Sequence, residues 1–153
     1  MKYLKDDKRG QISFDKVLKK AQKHTHVAVG ILQDKPREDG FSMVELAMVH
    51  EYGSKDGKIP KRSFISSTCD NKLKEHISFI RALENKVFRR ELSKKQALIQ
   101  LGEVVSKDMV QTINYGIKPE LKPATIKRKG SSKPLIDTGQ LKGSITYEVR
   151  GGV

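Results

Sequence analysis

Two spacings of apolar residues alternate along the chain and lay out its elements. Thr25–Leu32 is rich in β-branched residues and apolar on both sides, Val27, Val29 and Ile31 against Ala28 and Leu32. That pattern predicts a strand that is central or covered. Toward the other end, Ile145, Tyr147 and Val149 alternate with Ser144, Thr146, Glu148 and Arg150, the two-residue period of a half-buried strand.

Helical spacing fills much of the rest. Ser13 caps a first helix whose apolar face is Phe14, Val17, Leu18 and Ala21. Ser42 and Glu45 have capping-box form before Val44, Ala47 and Met48, and Gly53 supplies a left-handed C′ residue just after Tyr52. From about Ser67 to Leu92, Leu73, Ile77, Ile80, Leu83 and Val87 predict one helix of roughly 35 Å. Ser93 with Gln96 opens another, with a stripe of Leu98, Leu101, Val105, Met109 and Ile113 and a stop at Gly116. A sharp break at Glu91–Lys94 makes these an antiparallel pair laid against the sheet.

The connections follow from their turn residues. Gln33–Gly40 is a charged loop and a candidate for mobility, Ser54–Lys61 is a loop around Pro60, and Arg62–Ile65 returns to extended chain. Lys118–Lys133 is a proline- and lysine-rich connector with a short helix at Ala124–Lys129. Pro134–Val149 reads as a turn, a helical turn and the last strand, with Asp137 and Thr138 able to cap a helix start and Gly139 allowing tight backbone. The fold class predicted is α+β, one domain over residues 1–153. A small, mostly antiparallel sheet packs on two long amphipathic helices, with shorter N-terminal helices beside them.

Composition changes this picture in three ways. The single cysteine, Cys69, allows no intrachain disulfide, which is compatible with a reducing compartment. The first residues lack an apolar signal-peptide core, and no uncharged run approaches a bilayer span, so the expectation is a soluble protein without a membrane partner. The net charge of +13 is uneven: residues 1–24 and 118–133 each carry net +5 and 55–62 carry net +3, while 25–54 carry net −3. Such a balance suits a polyanion or an acidic protein face, and equally a solvated surface.

Catalytic patterns are scarce. His50-Glu51 begins like a zinc-protease motif, but Ser54 stands where the second histidine is needed. His24 and His26 have no nearby third ligand, and Cys69 with His76 makes no zinc site. No phosphate-binding glycine loop or nucleophile elbow occurs, so the chain is expected to be no enzyme and to need no cofactor or metal. The candidate binding element is the connector, where Lys127, Arg128, Lys129 and Lys133 are placed to meet DNA phosphates or an acidic partner. It lacks aromatic residues for base stacking, which argues against sequence-specific or single-strand readout.

Several blocks stand in a telling order: Val44-Glu45-Leu46-Ala47, His50-Glu51-Tyr52-Gly53-Ser54, Ile59-Pro60-Lys61-Arg62-Ser63-Phe64-Ile65, Pro123–Gly130, then Leu135–Leu141 with Ser144-Ile145. This order resembles the minor tail, tail-completion or neck (virion-morphogenesis) proteins of long-tailed bacteriophages, over roughly residues 25–149. Ser63 departs from it, since such proteins more often have proline before the phenylalanine, and the lysine-heavy first 24 residues have no counterpart in the pattern.

The resemblance implies a structural subunit acting in tail completion or head–tail joining. It would form rings with itself, six-fold if matched to the tail tube, and would meet other neck or tail-tube proteins. It would wait in the host cytoplasm before entering the virion. His50, Glu51, Tyr52, Gly53, Ile59, Pro60, Arg62 and Phe64 would supply the subunit contact, and Asp137, Thr138 and Gly139 would brace the last strand. For Asp137–Gly139 a purely architectural cap and turn is the favoured reading, and for Lys58, Lys61 and Arg62 a solvated loop is an equal one. A non-sequence-specific nucleic-acid-binding module is the alternative function.

Overall fold

The computed structural model describes residues 24–33, 42–121, 127, 135 and 139–151. Their order is strand β1 (His26–Gly30), helices α1 (Met43–Tyr52), α2 (Phe64–Asn71), α3 (Leu73–Phe88), α4 (Lys94–Tyr115) and the single-turn α5 (Gln140–Gly143), then strand β2 (Thr146–Arg150). The α+β class holds, with a small antiparallel sheet and a mainly helical remainder. The helix expected after Ser13, the 34–40 stretch of the charged loop and most of the Ala124–Lys129 helix lie outside the described residues.

Helix α4 is the hub. Its start is the capping box read from the sequence: Ser93 Oγ accepts from the Gln96 amide at 3.2 Å, and the Ser93 amide donates to Gln96 Oε1 at 2.8 Å. Gly116, with φ 93°, ends it. One side of α4 meets both strands and the other meets α2 and α3, so the molecule has three layers with α4 in the middle. Met109 and Ile113 of the expected stripe are buried along with Ala97 and Gly102, while Leu98, Leu101 and Val105 are half-buried.

In the sheet, Val27 pairs with Val149 and Val29 with Tyr147. Directly opposed residues share a face, and these four line the side toward α4. Thr146, Glu148 and Arg150 are exposed on the other side, as the alternation predicts. The Tyr147 ring sits on Gly102, where a Cβ would come within 2.5 Å of Tyr147 Cδ2, and its hydroxyl donates to Glu103 Oε1 at 3.2 Å. At the far end of α4, Ile113 joins Met43, Ala47, Phe64, Leu135 and Leu141 in the main core, with Ile31 and Ile145 packed against it.

Four expectations need correction. β1 is shorter than Thr25–Leu32 and pairs with β2 alone among the described residues; it is not a central strand, although α4 covers the face that carries its half-buried valines. Gly53 has the positive φ expected (84°), but its ψ of 163° is extended and not left-handed helical. Phe64 and Ile65 are helical, not extended. The single helix over Ser67–Leu92 is instead two helices interrupted at Lys72 (φ −108°, ψ 11°), and the second ends at Phe88, before the turn at Arg90 (φ 61°).

The interruption has a physical cause in polar partners on α4. Thr68 Oγ1 donates to Thr112 Oγ1 at 2.7 Å, and His76 Nε2 lies 2.8 Å from Asp108 Oδ2. Positions eight apart on a straight helix point about 80° apart. The bend at Lys72 lets both buried side chains, Thr68 and His76, reach the same wall.

Replacing Gly102 by alanine therefore drives a methyl group into the Tyr147 ring. Equilibrium urea unfolding of Gly102→Ala should show a loss of about 1–3 kcal/mol. Gly102→Ala/Tyr147→Ala should lose less than the sum of the two single changes, because the clash needs both groups.

Candidate functional site

The Gly53–Arg62 loop leaves α1 at Tyr52 and returns to start α2 at Phe64. Gly53 is required at its neck. A Cβ there would stand 3.2 Å from Lys61 N and 3.3 Å from Ile59 O, at a φ that side chains disfavour. The loop then closes on itself. Ser54 N donates to Ile59 O at 2.9 Å, and Ser54 Oγ accepts from Ile59 N at 2.8 Å. The same hydroxyl donates to Asp56 Oδ1 at 2.6 Å, and that oxygen also accepts from Lys58 N at 3.1 Å. Lys58 Nζ lies 3.1 Å from the other carboxylate oxygen. The Ser54 and Lys58 hydrogen bonds hold the Asp56 carboxyl down at about 2, below the usual carboxylate range.

Two charged side chains fix the loop to the body from within. Glu51 is only 4% exposed, and its carboxylate accepts from Ile65 N at 3.0 Å, Ser66 N at 2.9 Å and Ser66 Oγ at 2.6 Å. It thus satisfies the free N–H groups of the first turn of α2, where the helix dipole favours negative charge. Ser63, the N-cap of α2, donates its hydroxyl to Glu51 O at 2.9 Å. Arg62, 6% exposed, donates from Nε to Pro119 O at 2.7 Å and from Nη2 to Glu120 O at 3.2 Å, while its amide donates to His50 O at 2.7 Å. Burial lowers the pKa of its guanidinium, which stays charged and engages neutral carbonyls.

The residues expected at a subunit contact thus divide by role. Glu51, Arg62 and Phe64, the last fully buried in the main core, have their side chains committed inside the chain. His50 sits in the last turn of α1, and Gly53 forms the neck. Tyr52, Ile59 and Pro60 are exposed and form the loop's outer surface, and the Arg62 bonds to Pro119 and Glu120 bring exposed Tyr115 to the same end of the molecule. Ser54 and Asp56, absent from the expected set, carry the staple. Their signal was present as Ser54-Lys55-Asp56-Gly57, a polar turn sequence whose side chains bind local backbone.

Lys127 is exposed, whereas Arg128, Lys129 and Lys133 lie outside the described residues, as do Asp137 and Thr138. Gly139 itself is the N-cap of α5, in left-handed backbone (φ 76°, ψ −2°). His26 Nδ1 is 2.7 Å from the His24 carbonyl, so its ring is engaged with backbone. Cys69 is exposed on α2; partial burial, then the Asp70 and Glu51 carboxylates, push its thiol up, which disfavours the nucleophilic thiolate. Among the described residues no group of three or more His, Cys, Asp or Glu could hold a metal ion, and no helix is long and apolar enough to cross a membrane. Neither family models, nor curated proteins, nor solved structures yield a match to this chain.

Removing the Glu51 carboxylate leaves three donors of α2 without their acceptor. Glu51→Ala should cost about 2–3 kcal/mol in chemical denaturation, and Arg62→Lys should also destabilise, because an ammonium cannot span the two carbonyls. Asp56 has a folded-state pKa below its ordinary value, so its contribution to loop closure is complete above about 3.8 and fades as pH falls toward about 2. Amide resonances of Gly57 and Lys58 should move together across that window, and Asp56→Asn should abolish the movement.

Proposed function

We propose that this chain is a non-enzymatic structural subunit of a long-tailed phage virion. It acts in tail completion or head–tail joining through contacts between copies, in a ring matched to the tail tube, and with neighbouring neck or tail-tube proteins. It works in the host cytoplasm during assembly and in the virion afterwards. The observation that carries this reading is the Gly53–Arg62 loop. It lies within the most closely spaced motif blocks of the resembled family, it is closed by its own side chains, and it projects Tyr52, Ile59 and Pro60 from a buried base of Glu51, Arg62 and Phe64. A loop held in shape before contact loses little conformational freedom on docking, which favours assembly from a dilute pool.

The net charge of +13 and the exposed Lys127 favour a second reading, a module that grips duplex backbone without sequence preference. Duplex DNA titrated at two salt concentrations separates the two. The second reading requires submicromolar binding at low salt that collapses as salt rises.

For the virion reading, Tyr52→Glu/Ile59→Asp should leave the thermal unfolding midpoint within the small range typical of surface changes. In a phage whose own copy is deleted, the same variant should fail to restore joined heads and tails where the wild-type chain restores them. Infectious particles at wild-type yield from the deletion alone would remove the proposal.

A further inference from the structure

Helix α3 carries more apolar surface than its neighbours among the described residues, α2 and α4, cover. At about 100° per residue, Phe79, Ile80, Leu83 and Val87 share an arc with buried His76, and this arc meets α4. Beside it, within about 60° of helix surface, lie Leu73, Ile77 and Phe88, which are 55%, 40% and 89% exposed. Glu84 falls inside this second arc and Arg81 on its border, both exposed and without a salt bridge among the described residues.

The order of these groups along α3 is symmetric. Leu73, Ile77, Glu84 and Phe88 are separated by four, seven and four residues, the same read from either end. Two such helices laid antiparallel put Leu73 of each against Phe88 of the other. Glu84 of each falls opposite Ile77, one turn from Arg81 of the other copy, so the two charges meet their opposites twice. A self-complementary surface of this kind is what an interface with two-fold symmetry requires.

We propose that the Leu73–Ile77–Phe88 face of α3 is a contact between two copies of this chain, paired antiparallel about a two-fold axis. With a helix of 16 residues, about 24 Å long, the contact is small. It belongs to the weak class that forms at high protein concentration and dissociates on dilution. It is separate from the loop surface, and either can fail without the other.

Directed cross-linking tests it. In full-length chain with Cys69→Ser, one preparation carries Leu73→Cys and another Phe88→Cys. Both positions are exposed, and circular dichroism checks that the helices persist. Under mild oxidation at high concentration, the mixture should give the mixed disulfide dimer, and neither preparation alone should. Leu73→Cys joined to itself would mean a parallel pair and would overturn the proposal, as would no mixed dimer. If both cysteines instead resist alkylation in the monomer, the face is already covered within one chain, and the proposal also falls. Reversing one charge, Arg81→Glu or Glu84→Arg, should weaken the concentration-dependent dimer several-fold in sedimentation velocity, and the double reversal should restore it.

Discussion

Helix α4 has to satisfy two different surfaces at once, and the remaining elements are arranged by how it does so. Toward the sheet it is apolar and notched, since the missing side chain at Gly102 lets the Tyr147 ring lie against the helix backbone. Toward α2 and α3 it offers polar groups, Asp108 and Thr112, among apolar neighbours. Buried polar groups must be hydrogen-bonded, so Thr68 and His76 are held to defined places along α4. The bend at Lys72 is the cost of meeting both.

The same logic governs the other end of the molecule. Glu51 and Arg62 are buried ions that meet backbone instead of each other. A carboxylate caps the N–H groups of α2, and a guanidinium binds the carbonyls of Pro119 and Glu120. Each joins segments remote in sequence, so the loop between them is rooted at both ends although its tip is exposed. Phe64 beneath it is part of the main core, which couples the shape of the loop to the packing of α1, α4 and α5. Such coupling fixes the base of the loop relative to the core.

The structure also leaves apolar surface uncovered. Tyr52, Ile59 and Tyr115 lie at the loop end, and Leu73, Ile77 and Phe88 lie along α3. The two sets belong to different elements and differ in charge setting, and a chain with two such surfaces can be joined to neighbours in more than one direction. A building block of the kind proposed above requires that property.

By itself the sequence determined whatever depends on neighbours a few residues away. Ser42 and Ser93 cap their helices, Gly116 ends α4, the 145–149 alternation makes a half-buried strand, and Ser54 and Asp56 staple their turn. Tertiary structure alone decided what depends on partners far along the chain. Phe64 and Ile65 became helical because Glu51 accepts from the first turn of α2, and the long apolar run broke at Lys72 because Thr112 and Asp108 are spaced as they are. β1, apolar enough for a sheet interior, became an edge whose valines meet α4. Arg62 and Glu51, which look like surface charges in an exposed loop, turned inward for the same reason. A hydrogen-bond partner a dozen or more residues away leaves no periodic trace in the sequence beside the group it satisfies.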